Sequence, residues 1–113
     1  MKKILLIICA VVFLAGGCTE ATGDYKDFAQ CITDAGSVMY GSDQCEACQN
    51  QKKMFGADFE YINYVNCDFH EDECAEEGII KYPIWKIDGE VMGGELGIKT
   101  FDQLVEATGC ERE

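Results

Sequence analysis

The stretch Val38-Met39-Tyr40-Gly41-Ser42-Asp43-Gln44-Cys45-Glu46-Ala47-Cys48 constrains this chain more than any other part of it. Its apolar start reads as a buried strand and its middle as a polar turn. Met54 and Phe55 then add apolar positions on a helix. Two cysteines at i and i+3 on the first turn of a helix face the same way, so their sulfurs close a disulfide with little rearrangement. The first of them sits where unpaired backbone N–H groups and the helix dipole favour negative charge, which eases thiolate formation. The arrangement reads as a redox switch. Half of a zinc site and an inert staple are the alternatives for the same spacing.

Eight cysteines in 113 residues are too many for a typical cytosolic protein and point to an oxidising compartment. The start of the chain agrees. Lys2 and Lys3 precede eleven apolar residues, Ile4 to Leu14, too short a run to span a bilayer and the right length for a secretory leader. Leu14-Ala15-Gly16-Gly17-Cys18 resembles the lipobox of bacterial-type lipoproteins, in which Cys18 would take a diacylglycerol group and become the new N-terminus. An ordinary signal peptide cut near Gly17 or Thr19 is the alternative. Three segments are therefore expected: a leader over 1–17, a lipidated cysteine and tether over 18–24, and one domain over 25–113. Export as a lipoprotein would place that domain in the periplasm or on the outer face of the cytoplasmic membrane.

Cysteine parity fits this division. Loss of the leader removes Cys9 and lipidation uses Cys18, leaving Cys31, Cys45, Cys48, Cys67, Cys74 and Cys110, an even set that can pair completely. The leader holds two of the nine basic residues and none of the 21 acidic ones, so the remainder carries 7 against 21, a net of −14. Nucleic acid and anionic headgroups are poor partners for such a surface.

Along the domain, Tyr25, Phe28, Ala29 and Ile32 fall at helical spacing, with Gly36 as a stop. Ser37 to Gly41 reads as the first strand, and the helix begun at the cysteine pair runs to Phe55. Phe59 to Asn66, rich in aromatic and β-branched residues, is expected to form the second strand. The acidic segment Asp68 to Glu77 reads as a loop with one short helix closed by Gly78. Asp88-Gly89 between Pro83–Ile87 and Glu90–Met92 signals a hairpin. Thr100 with Gln103 forms a capping box for a last helix carrying Phe101, Leu104 and Val105, which Gly109 ends.

A strand–helix–strand unit, then a helix and a hairpin, with Cys-x-x-Cys opening the first crossover helix, resembles the thioredoxin fold. Pro83, the single proline of the chain, stands just before the third strand, where thioredoxin-like proteins carry a cis-proline facing the cysteine pair. A trans proline opening an edge strand is the alternative. A closer resemblance rests on Phe28-Ala29-Gln30-Cys31, Met39-Tyr40-Gly41, Cys45 and Cys48, Gln51-Lys52, Met54-Phe55-Gly56 and Cys67-Asp68. It continues through Cys74, Gly78-Ile79, Tyr82-Pro83-Ile84-Trp85, Gly94 and Thr108-Gly109-Cys110. The pattern is similar to the thioredoxin-like domain often fused to vitamin K epoxide reductase family membrane proteins.

That resemblance implies an α/β thioredoxin fold, a four-stranded mixed sheet flanked by helices, with an extra N-terminal helix. It implies an enzyme that exchanges disulfides with cysteine-containing protein substrates and uses no cofactor or metal. It also implies a membrane redox partner of the vitamin K epoxide reductase kind, reached here through a lipid anchor. Cys45 is expected to be the accessible sulfur and Cys48 the buried one that resolves the mixed disulfide. Tyr82 and Pro83 would shape a groove for an extended peptide. Relatives often carry Pro-His between the cysteines. Glu46-Ala47 puts a carboxylate there instead, which disfavours a thiolate on Cys45 and predicts a more reducing pair.

Nothing in the local sequence identifies a base for Cys48, and His70, in an acidic loop, reads as a solvated surface residue. The other four cysteines allow three pairings, among which sequence does not choose. Their placement and the resemblance favour Cys67 with Cys74 and Cys31 with Cys110. Closing the longer of these loops is worth about 4 kcal/mol in the chain-entropy model. Two other classes stand beside the enzyme: a zinc module using Cys45, Cys48, Cys67 and Cys74, and a stapled binding lipoprotein with an inert Cys45–Cys48 pair.

Overall fold

The computed structural model describes residues 25–112. The expected leader, Cys18, the tether to residue 24 and the final residue lie outside the described residues. The chain runs α1 (Lys26–Asp34), β1 (Ser37–Gly41), α2 (Glu46–Phe55), β2 (Tyr64–Asn66), α3 (Glu71–Glu76), β3 (Ile84–Ile87), β4 (Glu90–Val91) and α4 (Phe101–Thr108). The strands form one mixed sheet in the order β2-β1-β3-β4. β1 pairs parallel with β2, with Met39 opposite Tyr64 and Gly41 opposite Asn66. It pairs antiparallel with β3, with Met39 opposite Trp85 and Tyr40 opposite Ile84. An α/β body with a four-stranded mixed sheet and flanking helices, including one ahead of β1, is compatible with a thioredoxin-like fold.

Side chains alternate across a strand, and β1 uses both of its faces. Met39 joins the larger cluster with Phe28, Ala29 and Ile32 of α1, Cys48 and Phe55 of α2, Trp85 of β3, and Phe101 and Leu104 of α4. The rings of Phe28, Phe55 and Phe101 meet at centroid distances of 5.0 to 6.2 Å. Each such buried aromatic contributes about 2–3 kcal/mol by area alone. On the opposite face, Tyr40 packs with Cys67 and Cys74, and Val38, Val65 and Ile79 border them.

The local signals account for most boundaries. Asp88 and Gly89 both take positive φ, 52° and 86°, as a two-residue hairpin turn between β3 and β4 demands. Thr100 Oγ1 accepts from the Gln103 N–H while the Gln103 side chain accepts from the Thr100 N–H, so both halves of the capping box are made.

The expected strand over Phe59 to Asn66 is corrected. Gly56–Tyr61 forms a 3-10 helix, and only Tyr64–Asn66 joins the sheet. Contacts with α1 override the β propensity of this stretch. Asp58 accepts from the Tyr25 N–H at 3.0 Å, and the Tyr61 carbonyl accepts from Thr33 Oγ1 at 2.8 Å. Phe59 turns inward between Phe55 and Tyr64, at 6.1 and 5.5 Å between ring centroids.

Candidate functional site

β1 delivers the chain to the rim of the sheet at Gly41, and a hydrogen-bonded turn carries it into α2. Ser42 Oγ donates to both carboxylate oxygens of Asp68, at 2.8 and 2.9 Å, and the Asp43 N–H donates to Oδ2 at 3.0 Å. The Gln44 N–H in turn donates to Ser42 Oγ at 3.1 Å. One carboxylate therefore braces the segment that presents the first cysteine.

Cys45 is the N-cap of α2, with extended backbone, and its Sγ accepts from the Cys48 N–H at 3.0 Å. An oxygen usually fills that role. Here a sulfur does, at the end of the helix where the dipole favours negative charge. Cys45 is half-buried, whereas Cys48, one turn on, has no exposed surface; both sulfurs are unbonded. Glu46 between them is exposed.

Burial pushes the Cys48 thiol up from its usual 9.0 to about 12, and the hydrogen bond with Cys45 adds to the shift. The Ser42 backbone amide and the Lys52 charge pull the other way. Gly41 lies directly beneath: a Cβ added there would stand 2.9 Å from Cys48 Sγ, 3.0 Å from Tyr64 Cε1 and 3.3 Å from the Tyr64 hydroxyl. Only glycine leaves room for both neighbours. Tyr64 is held up at about 12 as well, by burial first and then by the negative charges of Cys48, Asp43, Asp68 and Cys45. Lys52 sits over its ring, 4.3 Å from the centroid, and reaches Asp43 at 3.8 Å.

The Tyr82–Pro83 peptide is cis. Because Tyr40 faces Ile84 in the β1–β3 register, Pro83 arrives beside Gly41 at the same rim as the cysteine pair. The Pro83 carbonyl accepts from the Gly97 N–H at 3.0 Å, which brings Leu96 alongside. Tyr82 and Leu96 are 41% and 44% exposed, leaving apolar surface next to the proline. A cavity of about 450 Å³ does exist, between the hairpin and α4, but Glu90, Glu95, Lys99 and Glu106 line it and neither free cysteine does. Cys45 lies at the rim, outside that cavity, and Cys48 is buried behind it.

Of the remaining cysteines, Cys31 is bonded to Cys110 and Cys67 to Cys74. Cys67 and Cys74 are thus spent on each other, which leaves no set of four thiolates for a zinc site built with Cys45 and Cys48. His70 is exposed, with Nδ1 3.0 Å from the Asn66 carbonyl, and belongs to the surface.

The reading of the sequence gave three residues at the site no role. Asp68 stood among ten residues of acidic loop and short helix, and only its bond to Ser42, 26 positions away, sets it apart. Tyr64 was absorbed into an aromatic strand. Gln51, fully buried, accepts from Trp85 Nε1 at 2.9 Å and from the Lys99 N–H at 2.7 Å. Its spacing of i+3 from Cys48, on the inward side of α2, and its place in the Gln51-Lys52 pair of the resemblance were the available signals.

No family model matches the chain. Among curated proteins it is similar to the thiol-disulfide oxidoreductase LTO1 of Arabidopsis thaliana, with 33% identity over 90 residues. The match takes in 72% of this chain and 23% of the relative, so the chain spans about a quarter of that protein's length. The body is compatible with a thioredoxin-like fold, its α2 opens on a helix-capping cysteine with a buried partner, and over 90 residues the chain is similar to a protein named for thiol–disulfide chemistry.

Proposed function

We propose that the protein is a thiol–disulfide oxidoreductase in which Cys45 and Cys48 exchange a disulfide with cysteine-containing protein substrates. One observation carries the reading: two unbonded sulfurs share the first turn of α2, one reachable and one hidden. Such a pair supports a two-step exchange. The reachable sulfur forms the mixed disulfide, and the hidden one displaces the substrate from it. The apolar rim around Tyr82, cis-Pro83 and Leu96 fits an extended peptide laid beside the site. In this proposal the leader directs export and Cys18 carries a lipid that holds the domain at the membrane. There a quinone-linked partner of the vitamin K epoxide reductase kind resets the pair.

The test uses the full-length chain in detergent, with a disulfide-bonded protein as substrate and dithiothreitol as the terminal reductant. Cys45→Ser is expected to reduce catalysed exchange to the uncatalysed rate. Cys48→Ser, reduced and freed of dithiothreitol before the substrate is added, is expected to accumulate a mixed disulfide with it. Exchange by the Cys45→Ser/Cys48→Ser double variant at the wild-type rate would overturn the proposal.

A further inference from the structure

The exchange proposed above asks Cys48, a deeply buried thiol held near 12, to become an anion, and the sequence offers no base beside it. The structure places a phenol there. Tyr64 rises from β2 under α2, and its hydroxyl and Cys48 Sγ flank a single point above Gly41, at 3.3 and 2.9 Å from it. That hydroxyl is buried and has no hydrogen-bond partner among the described residues. A buried O–H left without an acceptor is costly, and such groups call for an explanation. While Cys48 is a thiol it is a poor acceptor; as a thiolate it is a strong one. A negative charge on the neighbouring sulfur would give the orphaned donor the acceptor it lacks.

We propose that Tyr64 is the hydrogen-bond donor that stabilises the Cys48 thiolate during resolution of the mixed disulfide, an inference that rests on the exchange reading. Lys52, at i+4 from Cys48 on the same face of α2, holds the phenol from above, its Nζ 4.3 Å from the ring centroid. The charged and titratable groups acting on the two are Cys45 and Lys52 on α2, Asp43 in the turn and Asp68 after β2. In the step itself Cys48 Sγ attacks Cys45 Sγ. The Cys45–Cys48 bond forms and the bond from Cys45 to the substrate sulfur breaks. The substrate sulfur leaves with the electron pair, and the proton given up by Cys48 reaches it through solvent. Tyr64 keeps its own proton throughout, and run backwards the same step opens the Cys45–Cys48 disulfide.

Tyr64→Phe removes the donor and keeps the ring against Phe59 and Lys52. The reduced full-length chain is treated with Ellman's reagent, and release of the second thionitrobenzoate, which reports attack by Cys48, is followed by stopped flow across a pH series. The variant is expected to resolve about tenfold more slowly at neutral pH, with its profile displaced upward by about one unit, as loss of a hydrogen bond to an anion requires. Alkylation of Cys45 by iodoacetamide in a Cys48→Ser background should proceed at the same rate with and without the Tyr64→Phe change, and near-ultraviolet circular dichroism checks that the fold is kept. An unchanged rate and profile in Tyr64→Phe would overturn the inference while leaving the exchange reading intact. A wild-type chain that never forms the Cys45–Cys48 disulfide would overturn both.

Discussion

Two closely spaced cysteine pairs follow neighbouring strands of the same sheet, and they differ in state. After β1, Cys45 and Cys48 remain separate; after β2, Cys67 and Cys74 are bonded, with their α-carbons 5.8 Å apart. In the second pair both residues are out of solvent, 3% and 4% exposed, packed under Tyr40 on the far face of the sheet. In the first, Cys45 caps a helix at the rim while Cys48 is sealed in the main core. Spacing in sequence does not separate a staple from a switch. On the exchange proposed here unequal access does, because exchange with an outside sulfur needs one partner that can be reached and one that waits.

The comparison can be broken most forcefully at the staples. Replacing Cys31 and Cys110 by serine should lower unfolding free energy by about 4 kcal/mol, and replacing Cys67 and Cys74 by about 2.5 kcal/mol, since the first bond closes the far longer loop. Urea denaturation reads both, and the folded fraction of each variant should keep wild-type exchange. A Cys67/Cys74 variant that stays folded but loses exchange would mean that this pair takes part in the chemistry.

Gly41→Ala sharpens the contrast from the switch side. The new methyl stands 2.9 Å from Cys48 Sγ and 3.0 Å from Tyr64 Cε1, so one of them must move. Overpacking of this kind costs roughly 1–3 kcal/mol. Thermal unfolding should show the loss, and the rate of Cys48 attack should change with it; an alanine accepted without either effect would mean the site is looser than it looks.

The smallest effect is in pH. Cys48 and Tyr64 hold their protons up to about 12 in the folded chain, against ordinary values of 9.0 and 10.0, so the unfolded chain releases them first. The stability this represents is whole below about pH 9 and drains away as pH climbs toward 12. Oxidation removes Cys48 from the titration. Unfolding of the reduced protein should therefore steepen with alkaline pH more than that of the oxidised protein, and equal slopes would contradict the assignment.

Much of this architecture was legible in the chain because its signals are local. β1, the hairpin turn at Asp88-Gly89 and the Thr100–Gln103 box depend on residues within a few positions of one another. The cysteine pair and the lone proline were visible for the same reason, and their meeting at one rim follows from the β1–β3 register. The failure at Phe59–Tyr61 came from α1 and the residue that precedes it, since Thr33 and Tyr25 bind the segment from about thirty positions away. Asp68 beneath Ser42 and Tyr64 beneath Cys48 are likewise products of strand pairing, and no periodicity announces them.

The amide of Gln51 has a mechanical consequence. Its oxygen takes hydrogens from Trp85 and from the Lys99 backbone, and its nitrogen returns one to the Lys99 carbonyl at 2.9 Å, so a single side chain bolts α2 to the sheet and to the approach to α4. A helix fastened one turn below Cys48 has little freedom to roll when the two sulfurs join or part. Upstream, the loop of Ser42 to Cys45 is tied to the Asp68 carboxylate, so the cysteine pair is anchored from both ends and the two sulfurs stay in register.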